Sequence, residues 1–398
     1  MTKLAEKTKL IKPSVTLAIA AKAGKLRAEG VDVVNFSAGE PDFDTPQRIK
    51  DGAIEALRKG MTKYTEVKGI EPLREAIADK YRREHNLAYR KEDVLVSCGA
   101  KHSIYYILQA VVNPGDEVVI PAPYWVSYSD MALLAGGTPK LIPTNESTGF
   151  RIKPAQLQAA LTPRTRVFLL NSPCNPTGAS YGRDELRAIA GVLEKHDCLV
   201  LADDIYEKIV YDDFEIDNIV ALCPALRERA IIVNGVSKTY AMTGWRIGYA
   251  LGPSDVIAAA AKIQSQSTSN PTSIAQAAAL EAVRGPQEEL APMVREFHRR
   301  RDAIVDKLNA VDGIHCRKPE GAFYVFPNIS ALLGKIANGK RLGSPCDVAA
   351  YLLDEAKVAG VPGEDFGSNE HIRFSYATSL QDIEKGCARI REAVAKLS

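Results

Sequence analysis

The chain has 398 residues, of which 46% are hydrophobic and 25% are charged, and its formal net charge at pH 7 is +2. This length allows one large domain or two, and this composition is that of an ordinary globular protein with a sizeable core. The small net charge excludes strong electrostatic attraction to nucleic acid or to a membrane surface, so we expect neither as a partner.

The opening segment predicts a helix that ends near Gly30, and a strand follows it over residues 31–36. Helical periodicity then predicts helices over 49–59, 73–85, 102–112, 124–135, 154–161 and 184–196. Short runs rich in Val, Ile and Leu predict strands over 93–98, 117–120, 139–143, 167–171, 199–202 and 230–234. Such an alternation of strands and helices indicates an α/β fold, with a mostly parallel sheet and helices on both faces.

After about residue 285 the pattern changes to a mixture typical of an α+β unit. It predicts a long charged helix over 286–308, strands over 314–317 and 323–326, a helix over 346–356, a strand over 371–375 and a helix over 380–397. We therefore expect a large domain over 46–285, and a smaller domain formed by 1–45 together with 286–398.

The cysteines and the N-terminus both favour a cytoplasmic location. Seven cysteines are scattered without a CxxC pair, which predicts reduced thiols rather than a disulfide framework or a zinc site. No run reaches the roughly 18 apolar residues that span a bilayer. The apolar patch over 15–21 is short and follows Pro13, which disfavours a signal peptide.

Three polar loops follow predicted strands, at the edge where open parallel sheets bind ligands. Gly99-Ala100-Lys101 opens a helix whose first N–H groups can bind a phosphate, although the same pattern serves as a simple turn. Prolines in the second loop restrict the backbone around Asn175. The third loop places Asp203 at a strand end, with Tyr206 three residues on. Asp203 is either a helix cap or a partner for a buried cation.

Lys238 follows the strand over 230–234 and lies between Ser237 and Thr239. A second cation, Arg246, comes eight residues later. Taken alone, such a lysine is usually an exposed loop residue. Its small neighbours and the tight strand exit also suit a nucleophilic amine held beside a bound anion.

Together these motifs resemble class I pyridoxal-phosphate-dependent aminotransferases over nearly the whole chain. Ser237-Lys238 with Gly244-Trp245-Arg246-Ile247-Gly248 is similar to the cofactor-attachment signature of that family. Four further motifs match in order: Gly39-Glu40-Pro41, Asn175-Pro176-Thr177-Gly178, Asp203 with Tyr206, and Arg373-Phe374-Ser375. Lys12-Pro13-Ser14-Val15-Thr16 and Pro123-Tyr124-Trp125-Val126-Ser127-Tyr128 resemble the bacterial and plant-type aspartate and prephenate branch. The resemblance implies the type I fold, whose large domain has a mostly parallel seven-stranded sheet.

The resemblance also implies a role for each motif residue around pyridoxal 5'-phosphate. Lys238 would hold the cofactor covalently and then move the substrate proton. Asp203 would pair with the pyridine nitrogen, while Asn175 and Tyr206 would bond to the phenolic oxygen. The remaining cofactor contacts would come from Trp125, Gly99, Ala100, Lys101, Ser237 and Arg246. Tyr64 would reach the phosphate of a neighbouring subunit, which implies a homodimer with shared active sites.

For the substrate, the resemblance implies that Arg373 takes the α-carboxylate bidentately, with Gly39, Trp125 and Asn175 beside it. A dicarboxylic substrate needs a second cation. Lys12 and Lys101 are the candidates, with Thr16 as a hydroxyl donor, although each lysine is otherwise an ordinary exposed charge. The histidines lack metal-ligand spacing, so we expect no metal.

The resulting hypothesis is an enzyme that transfers the amino group of aspartate to 2-oxoglutarate by a ping-pong mechanism, with prephenate as a further acceptor. The alternatives are a β-eliminating C–S lyase and an aromatic aminotransferase on the same fold. A non-catalytic cofactor-binding regulator is disfavoured, because no spare segment supplies a DNA-reading element.

Overall fold

The computed structural model describes residues 2–11 and 15–398, without the side chains of residues 15–17 and 20. Lys12 and the side chain of Thr16 therefore lie outside the described residues. The described strands are β1 Val34–Asn35, β2 Val94–Ser97, β3 Glu117–Ala122, β4 Thr138–Pro143, β5 Thr165–Asn171, β6 Leu199–Asp203, β7 Ala230–Gly235, β8 Gly248–Leu251, β9 Tyr324–Val325, β10 Ile336–Ala337, β11 Lys340–Arg341, β12 Val358–Ala359, β13 Val361–Pro362 and β14 Ile372–Ser375. The described α-helices are α1 Val15–Ala28, α2 Gln47–Arg58, α3 Glu71–His85, α4 Ala100–Val111, α5 Ser127–Leu134, α6 Pro154–Ala160, α7 Arg183–Leu193, α8 Ile219–Leu222, α9 Ser254–Ser265, α10 Ser273–Arg284, α11 Leu290–Asn309, α12 Pro345–Tyr351 and α13 Leu380–Val394.

The main sheet has seven strands in the order β2-β8-β7-β6-β5-β3-β4. Strands β4, β3, β5, β6 and β7 run parallel to one another, whereas β8 is antiparallel to both β2 and β7. The predicted mostly parallel α/β sheet is therefore confirmed. Within the described chain no helix is both long enough and apolar enough to cross a bilayer.

Six strands of the main sheet, β2, β3, β5, β6, β7 and β8, are buried on both faces, which explains why they read as continuous apolar runs, whereas the edge strand β4 is mostly exposed or half-buried. Val200 and Ala202 of β6 pack into one cluster, with residues of α3, α7 and α10. Leu199 and Leu201 of the same strand pack into the opposite cluster, with residues of α4 and α9. Alternate side chains thus enter opposite layers, as the two-residue period of a strand requires.

Four elements of this region, β8, α8, α9 and α10, are absent from the predicted set, and α8 has only four residues. Helices α9 and α10 are rich in alanine, and small side chains give a weak apolar periodicity. Strand β8 has four residues and directly follows the Arg246 turn, so its apolar run is short and adjoins a motif assigned to a loop.

A second core lies around the three-stranded antiparallel sheet β13-β14-β9. Helices α11 and α13 pack there, together with Val34 and Phe36 from the N-terminal segment. The predicted strand over 314–317 is wrong: His315 makes only an isolated bridge to Asn328. A strand needs several consecutive paired residues, and this single pair has no paired neighbours along the 314–317 segment. The domain boundaries at 45/46 and 285/286 stay a prediction.

Candidate active site

A cavity of about 550 Å³ lies where the carboxyl ends of β5, β6 and β7 meet the second core. Parallel pairing sets Asn171 beside Asp203 and Asp203 beside Val233, so the loops after these strands open at one edge. The structure brings most of the sequence-predicted residues to this cavity. Its walls include Gly39, Ala100, Lys101, Trp125, Asn175, Asp203, Tyr206, Ser237, Lys238, Arg246 and Arg373.

Asp203 is a buried carboxylate at the end of β6. Tyr128 Oη donates to its Oδ2 at 2.7 Å, and the Ile205 N–H donates to its Oδ1 at 3.2 Å. Burial raises the pKa of Asp203 to about 6, although both hydrogen bonds oppose the shift. Among the described residues no cation forms an ion pair with it within 4.0 Å. Asp203 caps a turn rather than a helix, and its surroundings suit a cationic ligand atom.

Lys238 points into the same cavity from the loop after β7. Its Nζ donates to the carbonyl oxygen of Gly39 at 2.6 Å and lies 5.9 Å from the centroid of the Phe323 ring. Burial lowers the pKa of Lys238 to about 8. Nearby arginines lower it further, and nearby carboxylates oppose the shift. A lysine whose amine is partly neutral near neutral pH is a competent nucleophile and base.

Arg373 is buried on β14, and no carboxylate among the described residues forms an ion pair with it. Its Nη1 donates to Asn175 Oδ1 at 2.9 Å, and its Nη2 donates to the Ser37 carbonyl oxygen at 3.0 Å. Its Nε is buried without a hydrogen-bond partner among the described residues. Because a buried cation with neutral partners is costly, this guanidinium suits an anionic ligand.

The first turn of α4 and Arg246 form a basic end of the cavity. A Cβ on Gly248 would lie 2.0 Å from the Ala100 nitrogen, so only glycine lets β8 approach the start of α4 this closely. Gly99 precedes that turn with φ +93°, and a Cβ there would lie 2.5 Å from Arg246 Nη2. Backbone N–H groups at a helix start beside a guanidinium fit a phosphate.

Lys101 and Trp125 form an outer wall of the cavity. The Lys101 Nζ lies 4.7 Å from the centroid of the Trp125 ring. Loss of solvation lowers the pKa of Lys101, and the positive charge of Arg246 acts in the same direction. Lys101 thus joins Lys238, Arg246 and Arg373 as a cation of the cavity wall. Tyr64 is 90% exposed and is not part of the cavity wall of its own chain.

Sequence reasoning missed Asn171, Tyr128 and Tyr324 as site residues. Asn171 Nδ2 donates to the Asp203 carbonyl oxygen at 2.9 Å, and its Oδ1 accepts from the Asn175 N–H at 3.0 Å. The Tyr324 hydroxyl lies 3.0 Å from that of Tyr206. Tyr128 shares a short motif with Trp125, but nothing in that motif indicates its contact with Asp203. Tyr324 carries no signal, because its strand is distant in sequence.

A partly buried ionic cluster lies behind the Asp203 turn. Lys80 Nζ forms ion pairs with Glu207 and Glu84, and His85 Nε2 lies 3.3 Å from Glu207 Oε2. Glu84, His85 and Glu207 are close enough to ligate an ion. Lys80 pairs with both carboxylates and Lys208 pairs with Glu84 as well. Two ammonium groups thus balance the two carboxylates, and structural ion pairing explains the cluster.

Comparisons with known proteins agree with this geometry. An aspartate/prephenate aminotransferase of Cereibacter sphaeroides is 52% identical, over 98% of this chain and 98% of its own. An aspartate aminotransferase of Rhizobium meliloti is 48% identical, over 97% of this chain and 94% of its own.

Two crystal structures are similar along the whole length. The aspartate aminotransferase from Rhizobium meliloti has a TM-score of 0.97 at 47% identity, with 100% of both chains covered. That of Thermus thermophilus with maleate has a TM-score of 0.93 at 42% identity, covering 99% of this chain and 100% of its own. The family model for aminotransferase class I and II matches residues 31–390. The chain therefore has the type I transferase fold and belongs to the class I and II aminotransferases.

Proposed function

We propose that this aminotransferase moves the amino group of L-aspartate to 2-oxoglutarate by a ping-pong mechanism, and that it also accepts prephenate. The observation that carries the proposal is that Lys238, Asp203 and Arg373 line one cavity, although they lie far apart in sequence. The names of the relatives support the choice of substrates, since aspartate or prephenate appears in each of those cited.

Pyridoxal 5'-phosphate fits the residues of the cavity. The ring nitrogen would meet Asp203, whose buried carboxylate has no ion-pair partner among the described residues. The phosphate would lie at the start of α4, with Arg246 and Ser237 beside it. Tyr206 and Asn175 would hydrogen-bond to the phenolic oxygen, and Trp125 would cover a ring face. When bound, this cofactor supplies an electron-accepting ring that stabilises negative charge on the substrate Cα.

The residues of the chain would then orient the substrate and move its proton. Arg373 would bind the α-carboxylate, and Asn175 with the Ser37 carbonyl would keep the guanidinium in place. Lys238 Nζ, with its lowered pKa, would take the proton from the substrate Cα and deliver it to the cofactor carbon that carries the substrate nitrogen. Burial of these groups keeps water away from the reacting atoms.

The distal carboxylate of aspartate would meet Lys101, the second lysine of the described cavity wall. The Lys101 ammonium lies over the Trp125 ring, so a cation–π contact positions it. Lys12 and the Thr16 side chain would add to this end, and both lie outside the described residues.

A panel of amino donors against oxaloacetate, 2-oxoglutarate and prephenate tests the proposed function. We expect kcat/KM for aspartate with 2-oxoglutarate to exceed that for phenylalanine by at least about 100-fold, since a paired carboxylate discriminates far better than an apolar pocket does. Prephenate should accept the amino group in the same assay. A preference for phenylalanine would indicate an aromatic aminotransferase. Release of thiol from cystathionine would indicate a lyase, and cofactor binding without any transfer would indicate a regulator.

We also propose a homodimer whose subunits share active sites, with Tyr64 of one subunit at the phosphate of the other. Support comes from the 90% exposure of Tyr64, close in sequence to the exposed Ile54 and Leu57 of α2. Tyr64→Phe should weaken cofactor affinity about tenfold, the scale of one hydrogen bond to a charged group. Equilibrium dialysis measures this, with sedimentation velocity as the control that the dimer persists. A monomeric wild-type protein would contradict the proposal.

A cytosolic location is the last part of the proposal. All seven cysteines are free, and Cys198, Cys316 and Cys387 are buried. Free thiols in such number are typical of a reducing compartment. Cell fractionation tests this, and recovery outside the cytosol would contradict it.

A further inference from the structure

Tyr324 contacts residues from both halves of the cavity. It is fully buried on β9, which pairs antiparallel with β14, the strand of Arg373. Its hydroxyl lies 3.0 Å from that of Tyr206, and the centroid of its ring lies 4.5 Å from the Arg373 guanidinium carbon. One side chain therefore connects the proposed carboxylate-binding arginine with the proposed partner of the phenolic oxygen.

The Tyr324 hydroxyl is confined to this place. A Cβ on Gly39 would lie 3.1 Å from the Tyr324 oxygen, so the loop that carries Gly39 closes over it. The carbonyl of the same glycine accepts the bond from Lys238 Nζ. Among the described residues, the hydroxyl of Tyr206 lies within hydrogen-bond distance of the Tyr324 hydroxyl.

The direction of the Tyr206–Tyr324 hydrogen bond depends on what Tyr206 binds. A phenol has one proton, so a Tyr206 that donates to a ligand oxygen has none left for Tyr324. Tyr324 must then donate to Tyr206. Because hydrogen bonds in a chain polarise one another, such donation makes the Tyr206 hydroxyl a stronger donor.

We propose that Tyr324 is a positioning residue of the proposed aminotransferase reaction. Its hydroxyl strengthens the hydrogen bond that Tyr206 gives to the phenolic oxygen of the cofactor, and its ring holds the Arg373 guanidinium for the substrate carboxylate. The inference rests on the proposed function. It assigns two separable effects to one side chain, so two substitutions can distinguish them.

Tyr324→Phe removes only the hydroxyl and tests the first effect. In the holoenzyme, the absorbance of the Lys238-bound cofactor changes as its linking nitrogen loses a proton. A hydrogen bond to the phenolic oxygen favours the deprotonated form. We therefore expect Tyr324→Phe to raise the pH midpoint of this change by about half a pH unit, the scale of one neutral hydrogen bond. The KM for the amino donor should stay within about twofold, because the ring remains.

Tyr324→Leu removes the ring as well and tests the second effect. We expect the same rise in the spectral midpoint together with an increase of about tenfold in the KM for the amino donor, the scale of a desolvated cation–π contact. An unchanged KM in this variant would overturn the role of the ring.

Tyr376→Phe is the matched control. Tyr376 is fully buried in the same core, and its hydroxyl donates to the Ala322 carbonyl at 3.1 Å, away from Tyr206 and Arg373. The Tyr376→Phe protein should lose about as much thermal stability as the Tyr324→Phe protein. Its absorbance change should keep the pH midpoint of the wild type. Equal midpoints in wild type and Tyr324→Phe would overturn the proposed hydroxyl role. A wild-type protein that forms no titrating absorbance band would instead contradict the proposed function itself.

Discussion

The Lys238→Ala protein is expected to lose at least about four orders of magnitude in kcat for amino transfer from aspartate. The substitution removes both the amine that would bind the cofactor and the base that would move the Cα proton, and the second loss alone is of this size. Lys101 also lines the cavity, but its Nζ lies over the Trp125 ring rather than beside Gly39. Steady-state assays with aspartate and 2-oxoglutarate measure the loss.

Lys262→Ala is the matched control, because it removes one exposed lysine from α9 and changes the net charge equally. It should keep wild-type activity. Borohydride reduction followed by peptide mass measurement should place the trapped cofactor on Lys238 in wild type and in the control. A Lys238→Ala protein with normal turnover would refute the assignment.

The pKa of Lys238 gives a second check on the same amine. Burial lowers this pKa to about 8. The neutral, reactive form of the amine therefore predominates above pH 8, and the protonated form predominates below it. The rate at which cofactor-free protein binds pyridoxal phosphate covalently should therefore rise with pH and reach half its maximum near pH 8. A midpoint above pH 10 would mean that the lysine behaves as an ordinary exposed amine.

Replacing Arg373 by alanine is expected to lower kcat/KM for aspartate by about 100- to 1000-fold. A loss of this size is expected when one partner of a buried, bidentate charge pair is removed. Most of the loss should appear as a higher KM, since the guanidinium binds the substrate carboxylate in the ground state. The cofactor absorbance should persist, because the residues proposed to bind the ring and the phosphate remain.

Arg373→Lys is the informative companion. It keeps the charge but loses the planar fork that bonds to Asn175 and Ser37 at once. We expect it to recover only part of the lost activity. Full recovery would show that charge alone binds the carboxylate, and an unchanged KM in Arg373→Ala would place the carboxylate elsewhere.

Much of the fold was accessible from the sequence because parallel strands are buried on both faces. Continuous apolar runs such as that of β6 mark such strands clearly. The predicted strand over 314–317 failed because an alternating run of residues found no partner strand beyond the single pair of His315 and Asn328. Strand pairing is a property of the assembled sheet, and local residues do not specify it.

The candidate residues themselves were predicted from motifs, each local to one loop. Spacing within a loop identified Lys238 with Arg246 and Asp203 with Tyr206, since a short segment carries its own geometry. That these loops open into one cavity follows from the parallel register of β5, β6 and β7.

By itself, the sequence determined the α/β class, the reaction-bearing lysine as a candidate and the family resemblance, because apolar periodicity and short motifs are local. Only the tertiary structure decided which side chains surround those motifs. Tyr128 reaches Asp203, and Tyr324 lies between Tyr206 and Arg373, through contacts that span 75 and 118 residues of sequence. Such contacts depend on how the strands and the two cores pack together, and no local pattern encodes them.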